Sequence, residues 1–218
     1  MIRVLLVDDQ TVVRAGFRVI LGAEADIEIV GEASNGPDTV SLARSLAPDV
    51  VCMDVRMPGG DGIEATRSIV AAGSPELAAP AVLIVTTFDL DDYVFGALEA
   101  GASGFILKDA EPEELIAAIR RLAAGFGLVD HTVTRRVIAE FARRKSAAST
   151  GALPDVLTDR ETEIVRLLAR GLSNAEIASE LFVETSTVKS HLGRAMTKIG
   201  TRDRLQTVVW AYQNGLSG

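Results

Sequence analysis

The chain is poor in several things, and each shortage excludes a class of protein. It has one cysteine, Cys52, in 218 residues. No disulfide can form within it, which argues against the stapled secreted scaffolds and for a reducing, cytoplasmic setting. Cys52 sits inside an apolar run and reads as a small core residue rather than a redox centre. No apolar stretch approaches the roughly 18 residues that cross a bilayer, so no membrane role is expected. Asp8 and Asp9 interrupt the first apolar run too soon for a signal peptide. No internal repeat is visible. Positive charge is also short: 22 Lys and Arg stand against 30 Asp and Glu, a net charge of −8. Spread evenly, that balance would argue against nucleic acid. From Thr185 onward, however, the basic residues are Lys189, Arg194, Lys198, Arg202 and Arg204, against Asp203 alone. A cationic end follows an acidic body, and the asymmetry says more than the total.

What is present begins with Val50 to Met53, a short apolar run of the kind buried on both faces of a parallel sheet. It ends at Asp54, and Pro58-Gly59-Gly60 then forces an open loop. Four further runs read as strands: Val4 to Val7, Ile27 to Val30, Ala81 to Val85 and Phe105 to Leu107. Helical spacing follows each strand, over Gln10 to Leu21, Pro37 to Leu46, Ile63 to Val70, Asp91 to Ala100 and Pro112 to Ala124. Strands alternating with helices predict an α/β flavodoxin-like (βα)5 domain with a parallel sheet, over residues 1–124. In the order 2-1-3-4-5, strands one and three flank the switch point.

The polar residues at the strand ends then share one edge: Asp8, Asp9, Asp54, Thr86 and Lys108. Three carboxylates so close repel one another unless a cation joins them, and oxygen ligands with room for water suit Mg²⁺. Lys108 adds a compact positive charge and Thr86 a hydroxyl. The set suits a phosphoryl group, with Asp54 placed to act as nucleophile and form an acyl phosphate. Taken singly, an acidic pair at a strand end is more often a cap, Lys108 a solvated lysine and Thr86 a β-former. Their joint placement is what points to chemistry. Asp89, Asp91, Asp92, Glu111, Glu113 and Glu114 read as caps and solvated faces.

Residues 125–154 read as a linker that includes a helix, Thr132 to Arg144, followed by a Ser/Ala/Gly-rich tether. Its basic run, Arg143 to Lys145, reads as a solvated helix end. Residues 155–218 predict a smaller all-α domain. Thr158-Asp159-Arg160-Glu161 and Ser173-Asn174-Ala175-Glu176 are capping boxes opening two helices, to about Arg170 and to Leu181. Thr185 to Ile199 is a third helix and Arg202 to Asn214 a fourth. A short Phe182-Val183-Glu184 connection makes the second and third a helix-turn-helix. Val188, Leu192, Ala195 and Ile199 form the buried stripe of the third helix. Opposite lie Ser186, Lys189, Ser190, Gly193, Arg194 and Thr197, without a carboxylate, a face that fits the major groove. Leu205, Val208, Val209 and Tyr212 are too many apolar groups for a small domain's outer helix, so some read as core and the remainder as able to pair two copies on a palindromic site.

Two resemblances rest on these motifs. Asp8-Asp9, Asp54-x-x-Met57-Pro58, Thr86 and Lys108 resemble the receiver domain of two-component response regulators. The resemblance implies Asp54 as phosphoacceptor, with Asp9 and Asp8 as Mg²⁺ ligands helped by the backbone carbonyl of Arg56. It also implies that Thr86 and Lys108 contact the phosphoryl group and that Thr86 and Phe105 act as switch residues. Leu157-Thr158-Asp159-Arg160-Glu161, Gly171-x-Ser173-Asn174-x-Glu176-Ile177-Ala178 and Thr187-Val188-Lys189-x-His191 resemble the LuxR-type helix-turn-helix. Together they resemble a NarL/FixJ-type response regulator. DNA contacts are thereby expected from Thr185, Ser186, Thr187, Lys189, Ser190, His191, Gly193, Arg194 and Lys198. Of these, Lys189, Ser190 and Gly193 are expected to face bases, and His191 to pack or to meet phosphate. The expected partners are a sensor histidine kinase, a palindromic DNA operator and, when phosphorylated, a second copy of the chain. The protein is then a regulator and not an enzyme. Two rivals are a constitutive DNA-binding protein and a phosphatase using Asp54. The second would want another acid two residues on, where Arg56 stands.

Overall fold

The computed structural model describes residues 1–57, 62–73, 79–87, 92–125 and 156–216. The expected Pro58–Gly60 loop, the linker helix, the tether and the caps at Asp89 and Asp91 lie outside the described residues. The chain divides into two compact units, Met1–Leu128 and Val129–Gly218.

The first unit alternates β1 (Ile2–Val7), α1 (Thr11–Gly22), β2 (Ile27–Ala33), α2 (Gly36–Leu46), β3 (Val50–Met53), α3 (Gly62–Ala71), β4 (Ala81–Thr86), α4 (Asp92–Glu99), β5 (Gly104–Leu107) and α5 (Pro112–Ala123). All strand pairs are parallel, in the order β2-β1-β3-β4-β5. Because side chains alternate across a strand, one face of the sheet presents Val4 and Leu6, Val50 and Cys52, and Leu83 and Val85. Leu21 of α1 and Leu115, Ile119 and Leu122 of α5 close over it. Each such aliphatic group adds about 1.5–3 kcal/mol on burial, so truncating Leu83 to Ala would cost about 2–5 kcal/mol. Cys52 belongs to this core, and burial pushes its thiol up to about 12. The reading of an inert core cysteine therefore holds.

β2 runs three residues beyond the expected Val30. Gly31, Glu32 and Ala33 pair with Leu5, Leu6 and Val7 after a register shift between Val4 and Leu5. Polar Glu32 is tolerated there because β2 is an edge strand and its carboxylate takes Arg14 at 3.2 Å and Arg18 at 2.9 Å. Caps set the helix ends. Asn35 accepts from the Asp38 amide at 2.9 Å to open α2, and Ala47 closes it in the left-handed region.

Among its described residues the second unit has four helices: α6 (Asp159–Ala169), α7 (Asn174–Glu180), α8 (Thr185–Ile199) and α9 (Arg204–Gln213). Both expected capping boxes are present, Thr158 with Glu161 and Ser173 with Glu176. Asp203 caps α9, which starts two residues later than its spacing suggests. Phe182, between α7 and α8, takes φ 53 and is 96% exposed, while the Val183 amide donates back to the Ala178 carbonyl at 3.0 Å. That bond closes α7 and fixes the turn. One expectation fails. Leu205, Val208, Val209 and Tyr212 are all buried within a single chain, and the Tyr212 hydroxyl donates to the Ala169 carbonyl at 3.1 Å. Packing against α6 and α8 covers them, and none of the four is left over for pairing two copies.

Candidate functional site

The acidic site is built where β1 and β3 lie side by side. The Asp54 amide donates to the Val7 carbonyl at 2.8 Å, which continues the ladder one residue past β3 and sets Asp8 and Asp54 at the same level. Asp8, Asp9 and Asp54 bring carboxylate oxygens within 4.8 Å of one another. Asp8 and Asp54 are buried and Asp9 half-buried. Lys108, one residue past β5, reaches across to both. Its Nζ donates to Asp54 Oδ2 at 2.7 Å and forms an ion pair with Asp8 Oδ2 at 2.6 Å. The Lys108 amide meanwhile donates to the Thr86 carbonyl at 2.7 Å, tying the ends of β4 and β5.

The remaining oxygens are mostly spoken for. Asp54 Oδ1 accepts from the Arg56 amide at 3.0 Å, and Asp8 Oδ1 from the Gln10 amide at 2.9 Å. Asp9 Oδ1 is buried with no hydrogen-bond partner, an expensive state for a carboxylate. The electrostatics follow. Burial raises the Asp8 pKa above the usual carboxylate range, against the opposing pull of Lys108. Burial alone would lower Lys108, but the hydrogen bonds and charges of Asp54 and Asp8 outweigh it and raise its pKa. The ammonium is therefore charged at neutral pH and holds the cluster together. Thr86, the last residue of β4, and Phe105, in β5, are both buried.

Two supports of this site were not read from the sequence. Arg14 of α1 donates to the Asp8 carbonyl at 2.6 Å while Glu32 holds its guanidinium. A cation on the polar side of an amphipathic helix gives no local sign of such use. Gly62, at the start of α3, stands against the end of β3. A Cβ there would lie 2.5 Å from the Asp54 carbonyl oxygen and 2.5 Å from Val55 Cα.

In the second unit the outward face of α8 matches its helical angles. Thr185, Ser186, Lys189, Ser190, Gly193, Arg194 and Thr197 are exposed, while Thr187 and His191 are half-buried. Val188, Leu192 and Ala195 are buried. Arg194 stays within its own helix, near the Ser190 carbonyl at 3.4 Å and His191 Nδ1 at 3.4 Å. Two cations of the C-terminal cluster are tied to groups on neighbouring elements instead, Lys198 with its side chain still 38% exposed. Lys198 Nζ donates to Glu161 Oε2 at 2.7 Å. Arg204 donates to Asn174 Oδ1 at 2.9 Å and to the Leu172 carbonyl. Lys198, expected among the DNA contacts, is not one of the residues of that face. It stands about 110° round the helix from the centre of that face, on the flank nearest α6.

Comparison with known proteins agrees with both units. Residues 4–120 match the response regulator receiver domain, and residues 155–211 match the bacterial regulatory proteins of the luxR family. The chain is 44% identical over 215 residues to the transcriptional regulatory protein YxjL of Bacillus subtilis, covering 99% of this chain and 97% of that one. It is 42% identical over 217 residues to LiaR of the same organism, covering 99% of each. Among solved structures, the response regulator ChrA of a heme-sensing two-component system is 39% identical, with a TM-score of 0.52 over 99% of this chain and 98% of that one. No helix among the described residues is long and apolar enough to cross a membrane. The chain belongs to the two-component response regulators that join a receiver domain to a LuxR-type DNA-binding domain, a family of transcriptional regulators.

Proposed function

We propose that a sensor histidine kinase phosphorylates this protein on Asp54, and that the phosphorylated form dimerises and binds a specific, palindromic DNA operator to regulate transcription. We assign residues 1–124 to the phosphoacceptor domain, 125–154 to a linker and 155–218 to the DNA-binding domain. The observation that carries the reading is the cluster of Asp8, Asp9 and Asp54 around one ammonium at the carboxyl edge of a parallel sheet, the place where open α/β sheets bind ligands.

A metal fits these residues. Asp9 Oδ1 is a buried oxygen without a partner, and the donor set is all carboxylate, the chemistry of Mg²⁺ sites. Asp8, Asp9 and Asp54 would hold the ion, with the Arg56 carbonyl as a further ligand. When bound, Mg²⁺ would neutralise charge on the phosphoryl oxygens. Asp54 supplies the nucleophile: a carboxylate oxygen forms the new P–O bond as the N–P bond of the donor phosphohistidine breaks, and the imidazole keeps that electron pair. Lys108, already on Asp54 Oδ2, would follow the oxygen it holds and stand beside the transferred group. Thr86, at the end of β4, and Phe105, within β5, would rearrange and shift the equilibrium towards the dimer.

The outward face of α8 would enter the major groove, with Lys189, Ser190 and Gly193 towards bases. Thr185, Ser186, Thr187, His191 and Arg194 would lie nearer the backbone. The test is phosphorylation by a small phosphodonor in Mg²⁺ and in EDTA. Wild type should be labelled only with the metal and Asp54→Asn not at all. Label on the Asn variant would refute the assignment.

A further inference from the structure

The C-terminal basic cluster is divided in use, and the division turns on Glu161. Its carboxylate is 3% exposed. Oε2 accepts from the Thr158 amide at 2.9 Å, as the second half of the capping box, and from Lys198 Nζ at 2.7 Å. Without Lys198 the carboxylate would keep its charge in a buried place with the cap bond alone. Without the Glu161 side chain the start of α6 would lose half of its capping box, and the last turn of α8 its anchor. Lys198 is near the C-terminal end of α8, where a cation also suits the helix dipole. The buried stripe of α8, Val188, Leu192 and Ala195, sets how deep the helix sits and limits rotation about its axis. A charged bond on the flank restrains that rotation.

We infer that Lys198 is not a DNA contact but a positioning residue, which with Glu161 fixes the rotation of α8 and so aims Lys189 and Ser190. The inference rests on the DNA-binding reading given above. If Lys198 left Glu161 for a phosphate, the energy regained outside would be set against a buried, half-satisfied carboxylate inside. The two roles also leave different marks. A cation that displaces counterions from DNA contributes about 0.9 to the slope of log affinity against log salt, and a cation facing inward contributes nothing.

The experiment measures binding of the full-length protein to two labelled duplexes, one selected from a random pool and one of scrambled sequence, across a range of KCl. It is run well below the melting temperature of each variant. For Lys198→Met we expect the affinity for the selected duplex to fall about tenfold, the preference over the scrambled duplex to shrink, and the salt slope to stay at the wild-type value. Lys198→Gln, which can still donate to Glu161, should recover part of the loss and serves if the Met variant does not fold. Arg194→Met should lower the slope by about 0.9 and serves as the control for an outward cation. A slope lowered by that amount in Lys198→Met would overturn the inference, since the residue would then be touching phosphate. Unchanged affinity and preference in the folded variant would overturn it too, leaving Lys198 a role in stability alone. If wild type bound neither duplex, the DNA-binding reading itself would fall; if wild type bound and the variant matched it, only the positioning role would.

Discussion

Replacing Lys108 by Met tests the arrangement of the acidic site without requiring phosphorylation. The ammonium lies 2.6 Å from Asp8 and 2.7 Å from Asp54, with all three side chains at most 9% exposed. Removing one partner of a buried ion pair costs about 3–5 kcal/mol. Asp8 already has a raised pKa and can relieve the strain by taking a proton, so the lower end, about 3 kcal/mol, is expected at neutral pH. For a domain of this size that is roughly 10 °C or more in the melting temperature of the receiver. The loss should shrink as pH falls, because protonating Asp8, whose pKa burial already raises, removes part of the repulsion. Mg²⁺ should replace the missing charge. At a hundred times its dissociation constant it returns about 2.7 kcal/mol, nearly the whole deficit. Wild type should respond less, because there the ion must compete with Lys108 for Asp8 and Asp54. The assay is thermal unfolding of both proteins by circular dichroism in EDTA and across a Mg²⁺ titration. A variant that melts within about 2 °C of wild type in EDTA, or that gains no more from Mg²⁺ than wild type, would show that Lys108 does not hold the cluster together.

Gly62→Ala places a methyl 2.5 Å from backbone atoms at Asp54 and Val55; it should cost about 1–3 kcal/mol, read from the denaturant midpoint, and slow Asp54 labelling. The Glu161 carboxyl is held down at about 2, against an ordinary 4.5, chiefly by its hydrogen bond from Lys198. Its stabilising contribution should therefore be complete above pH 4.5 and fade as the pH falls towards 2. Acid unfolding of the C-terminal domain should lose that component in Glu161→Gln, and superimposable profiles would contradict the pairing. Lys189→Ala should weaken operator binding by about 1–3 kcal/mol if the side chain reads a base, as measured by anisotropy at fixed salt; no change would remove Lys189 from the interface.

Much of this protein was legible from local pattern. Apolar runs of three to five residues, helices of 3.6 periodicity and two capping boxes depend on neighbours a few positions apart, and those neighbours are written in order along the chain. The alternation of strand and helix then restricts the topology enough to bring Asp8, Asp9, Asp54, Thr86 and Lys108 to one edge. The long-range choices were not written that way. β2 extends through Glu32 because Arg14 and Arg18 of α1 neutralise it, and Gly62 matters only because β3 ends against it. Leu205, Val208, Val209 and Tyr212 are core because α6 and α8 pack over them, which the spacing of one helix cannot reveal. Lys198 and Arg204 counted as part of a basic surface while only their charge was known. Their long side chains reach partners 37 and 30 residues away. Local sequence states which face of a helix a residue occupies, but the packing of the other helices determines whether a cation on its flank meets a buried carboxylate or solvent.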